Sequence, residues 1–124
     1  MSKIKVLVVE DNPVVVRLNE SLLKSGNYDV VIAMDGETGI AKALQEKPDI
    51  ILLDIILPKM HGFEVCKELR KREETKNIPI VVVTGTGLDE VIEREPEIAV
   101  SGVLSKPYNF KKLDEAIKKA LARK

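Results

Sequence analysis

The chain has 124 residues, 20 of them basic and 20 acidic, so it has no net field for gripping nucleic acid or an acidic membrane. That length suits a single domain that buries roughly two thirds of its unfolded surface with no metal or disulfide staple. Cys66 is the only cysteine, which excludes an intrachain disulfide and fits a reducing cytosol. The N-terminal apolar run is too short for a membrane span and has no cleavage site behind it, so a cytoplasmic protein is expected.

Residues 4–9 read as a first strand. Asn12 then caps a helix with Pro13 at its first position, running to Ser25 and stopping at Gly26. Its apolar pattern predicts Val14, Val15, Leu18 and Leu22 inward and Arg17, Glu20 and Lys24 in water. Residues 29–33 form a second strand, and Asp35 caps a second helix with Ile40, Ala41 and Leu44 inward, ended by Pro48.

Ile50, Ile51, Leu52 and Leu53 are a run of branched apolar residues, as expected of a strand buried on both faces, and Asp54 follows where that strand leaves the core. A loop through Pro58, Met60, His61 and Gly62 leads to a third helix with Phe63, Cys66 and Leu69 on one face. Charged residues over 67–76 read as its wet side and exit, and Cys66 reads as packing. Residues 78–84 are the fourth strand. Between Gly85 and Gly102 only 88–95 suits a helix. Val103 and Leu104 belong to a fifth strand. Asn109 caps the last helix, with Phe110, Leu113, Ile117 and Leu121 inward and Tyr108 placed to staple Leu113.

Five strands alternating with helices through short connections predict an α/β fold, a parallel sheet with helices on both faces. The doubly wound five-stranded order 2-1-3-4-5 fits the count and puts a switch point between strands 1 and 3. Four of the five strands then end on one edge in polar residues: Glu10 and Asp11, Asp54, Thr84, and Ser105 and Lys106 before Pro107. A lone Asp after an apolar run is most often a solvated end; four polar strand ends on one edge are not so easily dismissed. Carboxylates gathered there repel unless a cation sits among them. Mg²⁺ takes oxygen ligands and leaves positions for a phosphate oxygen, while Lys106 and Thr84 offer a charge and a hydroxyl to a transferring phosphoryl group.

With Glu10-Asp11, Asp54 followed by Leu57-Pro58-x-Met60-x-Gly62, Thr84-Gly85 and Lys106-Pro107 in order, the whole sequence resembles the receiver domain of two-component response regulators. The resemblance implies a flavodoxin-like receiver fold over residues 1–124; at this length no effector domain is expected beside it, and a stand-alone monomer is the expectation. It further implies that Asp54 accepts a phosphoryl group, with Mg²⁺, from a phosphohistidine of a histidine kinase or phosphotransfer protein. Asp11 and Asp54 would be metal ligands, Glu10 a direct or water-mediated one, and the Ile56 carbonyl another; Thr84 and Lys106 would contact the phosphoryl oxygens. Output would pass to a downstream protein partner or along a phosphorelay, with no nucleic acid contact and no membrane insertion. In the family, phosphorylation redraws the surface of the fourth helix, fifth strand and fifth helix, which here includes 88–95.

Four positions depart from the family pattern. Val103 stands where a switching Tyr or Phe is usual, Glu10 replaces the commoner Asp, and Ile56 and Thr86 occupy places where polar groups orient a hydrolytic water in some relatives. An Ile cannot do that, which predicts a long-lived acyl phosphate. His61, with no companion at ligand spacing, reads as an exposed loop residue.

Three rivals are weaker. An aspartyl-phosphate hydrolase usually carries an acid two residues after the nucleophile, where this chain has Ile56. A nucleotide or flavin binder needs a glycine-rich phosphate loop, which is absent. A receiver-like scaffold that is never phosphorylated would have no need of Asp54, Thr84 and Lys106 together.

Overall fold

Each of the five apolar runs forms a strand in a computed structural model that describes residues 3–85 and 99–122. The order is β1 (Lys5–Val9), α1 (Pro13–Ser25), β2 (Asp29–Ala33), α2 (Gly36–Glu46), β3 (Ile50–Asp54), α3 (Gly62–Lys71), β4 (Ile80–Thr84), β5 (Gly102–Ser105) and the last described helix, α4 (Phe110–Ala122). All neighbouring strands are parallel, in the order β2-β1-β3-β4-β5. The expected helix over 88–95 lies outside the described residues.

The two-residue period of a strand divides the core. Leu7, Val9, Ile51, Leu53, Ile80 and Val82 point to one face, under Ile40 and Ala43 of α2 and Phe63, Cys66 and Leu69 of α3. Val6, Val8, Ile50, Leu52, Val81 and Val83 point to the other, under Leu23 of α1 and Leu113, Ile117 and Ala120 of α4. Strands β3 and β4 are buried along their whole length, as central strands covered on both faces must be. Cys66 is part of this packing, and burial pushes its thiol up to about 12, leaving it inert at neutral pH.

The helix starts follow the local chemistry. Asn12 Oδ1 accepts from Val14 N at 2.9 Å, Asp35 Oδ1 from Thr38 N at 2.7 Å and Asn109 Oδ1 from Lys112 N at 3.0 Å, each relieving an orphan N–H of a first turn. His61 is exposed, as a loop residue should be, but it also caps α3: its Nδ1 accepts from Phe63 N at 3.1 Å.

Three facing assignments are corrected by the fold. On α1 the fully buried positions are Asn19 and Leu23, whereas Val14 and Leu18 are 75% and 51% exposed. The buried stripe is shifted by one position because Asn19 finds a hydrogen-bond partner in the Tyr108 hydroxyl. A satisfied amide can occupy a core position, and the helix turns Val14 and Leu18 outward. On α2, Ala41 is exposed and Ala43 takes the inward place, with Gly39 letting the helix close on β1: a Cβ there would lie 3.0 Å from Val9. In the charged run after α3, Arg70 is half-buried and Thr75 fully buried, not wet.

Candidate functional site

The carboxyl ends of β1, β3, β4 and β5 meet at one rim. Register places them: Val9 pairs with Leu53, Asp54 with Val83, and Thr84 with Ser105, so Glu10 and Asp54 stand beside each other just past the last β1–β3 pair. The ladder continues past β5, since Lys106 N donates to Thr84 O at 2.8 Å, and this starts the Lys106 side chain at the rim. The loop after β3 is fixed by Gly62, whose N–H donates to Ile55 O at 2.7 Å. A Cβ on Gly62 would sit 2.6 Å from Ile55 Cα and 2.8 Å from Asp54 O, so only glycine fits beneath the acidic residue.

Glu10, Asp11, Asn12, Asp54, Ile56, Thr84, Gly85 and Lys106 line a cleft of about 320 Å³. Glu10 and Asp54 are 3% and 8% exposed, Thr84 is also buried, and Asp11 is exposed. Lys106 Nζ bridges the buried pair, 2.8 Å from Asp54 Oδ2 and 3.2 Å from Glu10 Oε1. Each carboxylate also accepts one backbone N–H: Asn12 N to Glu10 Oε2 at 3.1 Å and Ile56 N to Asp54 Oδ1 at 2.9 Å.

Burial, and then the neighbouring Asp54 carboxylate, hold the Glu10 carboxyl above its ordinary range, against the Asn12 N–H and Lys106. Burial pulls the Lys106 ammonium the other way, but its hydrogen bonds and charge contacts with Asp54 and Glu10 outweigh that, and its pKa rises. Among the described residues, three carboxyl groups gather at the rim around one ammonium, so acidic groups outnumber basic ones there by two.

A hard divalent cation matches that excess. Glu10, Asp11 and Asp54 each offer an oxygen within 4.8 Å of the others, while opposite ligands of a Mg²⁺ octahedron are about 4.2 Å apart. Neighbouring ligands of that octahedron lie about 3.0 Å apart, so side-chain rotation must draw the three oxygens together; an all-oxygen, acidic donor set of this kind fits the ion. The sequence-expected residues Glu10, Asp11, Asp54, Thr84 and Lys106 all line this one cleft, and so does Ile56. What sequence reasoning missed is the tie behind them, the Tyr108 hydroxyl on Asn19, for which two residues 89 positions apart carry no shared local signal.

Residues 6–118 match the family described as response regulator receiver domain. This chain belongs to that family. The receiver is 36% identical over 119 residues to the alkaline phosphatase synthesis transcriptional regulatory protein PhoP of Bacillus subtilis (strain 168), covering 96% of this chain and 49% of that protein; the chain thus spans about half of that relative's length. Among solved structures it is similar to the Vibrio cholerae chemotaxis protein CheY4, with a TM-score of 0.91 at 29% identity over 96% of this chain and 99% of that one. The receiver domain of the sensor histidine kinase PA1611 of Pseudomonas aeruginosa PAO1 gives 0.89 at 28% identity, over 98% and 99%. That structure is described as holding a magnesium ion in its active-site cleft. Receiver domains are phosphoacceptor signalling modules of two-component systems, and the fold expected of one is the fold observed.

Proposed function

We propose that this receiver takes a phosphoryl group on Asp54 from a phosphohistidine of a histidine kinase or histidine phosphotransfer protein, in a Mg²⁺-dependent step. The observation that carries the reading is the buried Asp54 carboxylate with Lys106 Nζ at 2.8 Å beside two further carboxylates. A strand-end Asp kept only for solubility would have no need of a lysine brought from 52 residues away.

In the transfer, an Asp54 oxygen attacks phosphorus, the P–N bond to the donor imidazole breaks, and its electron pair stays on the imidazole nitrogen. Glu10, Asp11 and Asp54, with the Ile56 carbonyl, would hold Mg²⁺, which when bound neutralises charge on the phosphoryl oxygens. Lys106 supplies a positive charge and Thr84 a hydroxyl to the remaining oxygens. Transfer of this kind depends on placement and charge, so residues fixed by the sheet register suit it.

The donor is a protein, and α1 offers it a face: Val14 and Leu18 are exposed one turn apart, near the Lys106 loop. Output passes by protein–protein contact or onward relay, in the cytoplasm. Among the described residues no helix is long and apolar enough to cross a membrane. Val103, half-buried against the core, has no ring to swing, so the output surface responds without the family's usual aromatic. Ile56 lies at the rim with 66% of its surface exposed and cannot orient a water, so the acyl phosphate persists for minutes or longer. A lifetime of seconds with Mg²⁺ and no partner contradicts that.

Incubating the protein with Mg²⁺ and acetyl phosphate tests the core reading. One added phosphoryl group by intact mass, absent from Asp54→Asn, is expected. Catalytic loss of the donor without retention would indicate a hydrolase, and no reaction with any phosphodonor would leave an unphosphorylated scaffold.

A further inference from the structure

Asn19 is an odd residue for its place. It lies mid-helix on α1 and is 2% exposed, although Asn is a poor helix former and a buried amide is costly unless bonded. Its partner is the Tyr108 hydroxyl, which donates to Asn19 Oδ1. Tyr108 belongs to the loop joining β5 to α4, two residues after Lys106. That loop leaves the sheet at the Lys106 N to Thr84 O bond and is next secured at Asn109, whose bonds run into α4 itself. Among the described residues, Tyr108 supplies the side-chain hydrogen bond that ties this loop to α1. The Lys106 side chain and the Tyr108 ring line one apolar groove of about 170 Å³ with Val15, Leu18 and Pro107.

Lysine has a four-carbon stem with many rotamers, yet Lys106 Nζ must meet Asp54 and Glu10 together, at 2.8 and 3.2 Å. Fixing where the stem begins and what it lies against narrows the choice, and an ångström of misplacement in a transfer site can cost up to about a hundredfold. We infer that Tyr108 is a positioning residue: through Asn19 it holds the β5–α4 loop on α1 so that Lys106 reaches the two buried carboxylates. The inference rests on the reading of Asp54 as phosphoacceptor only for its kinetic consequence. It also makes α1 part of the mounting of Lys106, so pressure on that helix reaches the ammonium.

The test compares wild type, Tyr108→Phe, and the double variant Tyr108→Phe/Asn19→Leu, which removes both polar partners and avoids an orphaned amide. With acetyl phosphate and Mg²⁺, the maximal rate of phosphoryl uptake should fall about fivefold in both variants, the factor one ordinary hydrogen bond supports. The half-saturating acetyl phosphate concentration should stay unchanged. Melting temperature should drop in the single variant and recover in the double one while the rate stays low, which a merely structural tie does not predict. Separately, NMR of ¹³C-labelled lysine in the metal-free protein should show one ordered Lys106 signal in wild type and an averaged one in the variants. Wild-type rates in Tyr108→Phe, a rate that returns with stability in the double variant, or an unmoved Lys106 signal would each overturn the inference. A wild type that takes no phosphoryl group overturns the reading of Asp54 instead, and the NMR comparison then decides the placement of Lys106.

Discussion

The two edges of the sheet treat buried charge in opposite ways. At the carboxyl edge, Glu10 and Asp54 share one lysine and leave an excess of negative charge. At the amino edge, half-buried Arg70 has no carboxylate partner among the described residues. Its Nη1 donates to Lys76 O at 2.9 Å and Ile78 O at 2.7 Å, and its Nη2 to Ala99 O at 2.7 Å. Burial lowers the Arg70 pKa. One side chain from the end of α3 thereby ties together the chain entering β4 and the chain approaching β5. The Arg70 edge is nearly complete in its hydrogen bonds, apart from Nε, and a complete network is a structural device. The rim is incomplete in charge, and an incomplete site is where a ligand has work to do.

The contrast breaks first at Arg70. Arg70→Ala strands carbonyls at the amino edge and should lower stability by about 3 kcal/mol, read as a urea midpoint shift at constant slope. Mg²⁺-dependent phosphoryl uptake by the folded fraction should remain, because the clamp is at the other end of the sheet. A loss under about 1 kcal/mol would show the carbonyls rehydrate freely.

Lys106→Met asks the same question of the rim. Removing the ammonium leaves two buried carboxylates facing each other, and without metal the protein should lose about 2 kcal/mol. Saturating Mg²⁺ should recover most of it by binding the native state alone, while uptake from acetyl phosphate slows. If Mg²⁺ recovers nothing, the three carboxylates are not a metal site. Asp54→Asn should be milder still: in EDTA its stability should stay within about 0.5 kcal/mol of wild type or rise, since relief of repulsion with Glu10 and Asp11 offsets the lost ion pair. A marked fall in melting temperature would show that attraction to Lys106 dominates.

The same contrast explains what could be read in advance. Strands, caps and the rim were legible because each depends on short-range chemistry: a branched apolar run, an Asn or Asp before a helix, a polar group at a strand end. Parallel topology then brought Glu10, Asp11, Asp54, Thr84 and Lys106 to one cleft with no further information. The facing of α1 was not legible, because the reason Asn19 goes inward is a tyrosine 89 residues later. Arg70 looked like one more charge in a wet run, since its partners are backbone carbonyls, the farthest 29 residues away, and a carbonyl acceptor leaves no mark on composition. His61 capped α3 with a ring nitrogen where a carboxamide or hydroxyl is the usual signal.

The smallest expected effect has the sharpest sign. Glu10 sits above its ordinary pKa, chiefly through burial, whereas Asp114 on α4 sits below, because the Tyr28 hydroxyl donates to it at 2.5 Å and Lys118 lies 2.9 Å away. A carboxyl raised by folding binds more protons folded than unfolded, so its effect on stability worsens as pH rises from the ordinary value to the raised one. A lowered carboxyl does the reverse: its contribution is present above the ordinary value and is lost as pH falls through the lowered one. Urea midpoints taken in EDTA from about pH 3 to 7 should therefore show Glu10→Gln removing a decline on the neutral side. Asp114→Asn should remove a loss on the acid side, and Tyr28→Phe should reproduce part of it. Slopes of the same sign in the two carboxyl variants would mean that Lys106, and not burial, governs Glu10, and the rim would then be as well compensated as the rest of the molecule.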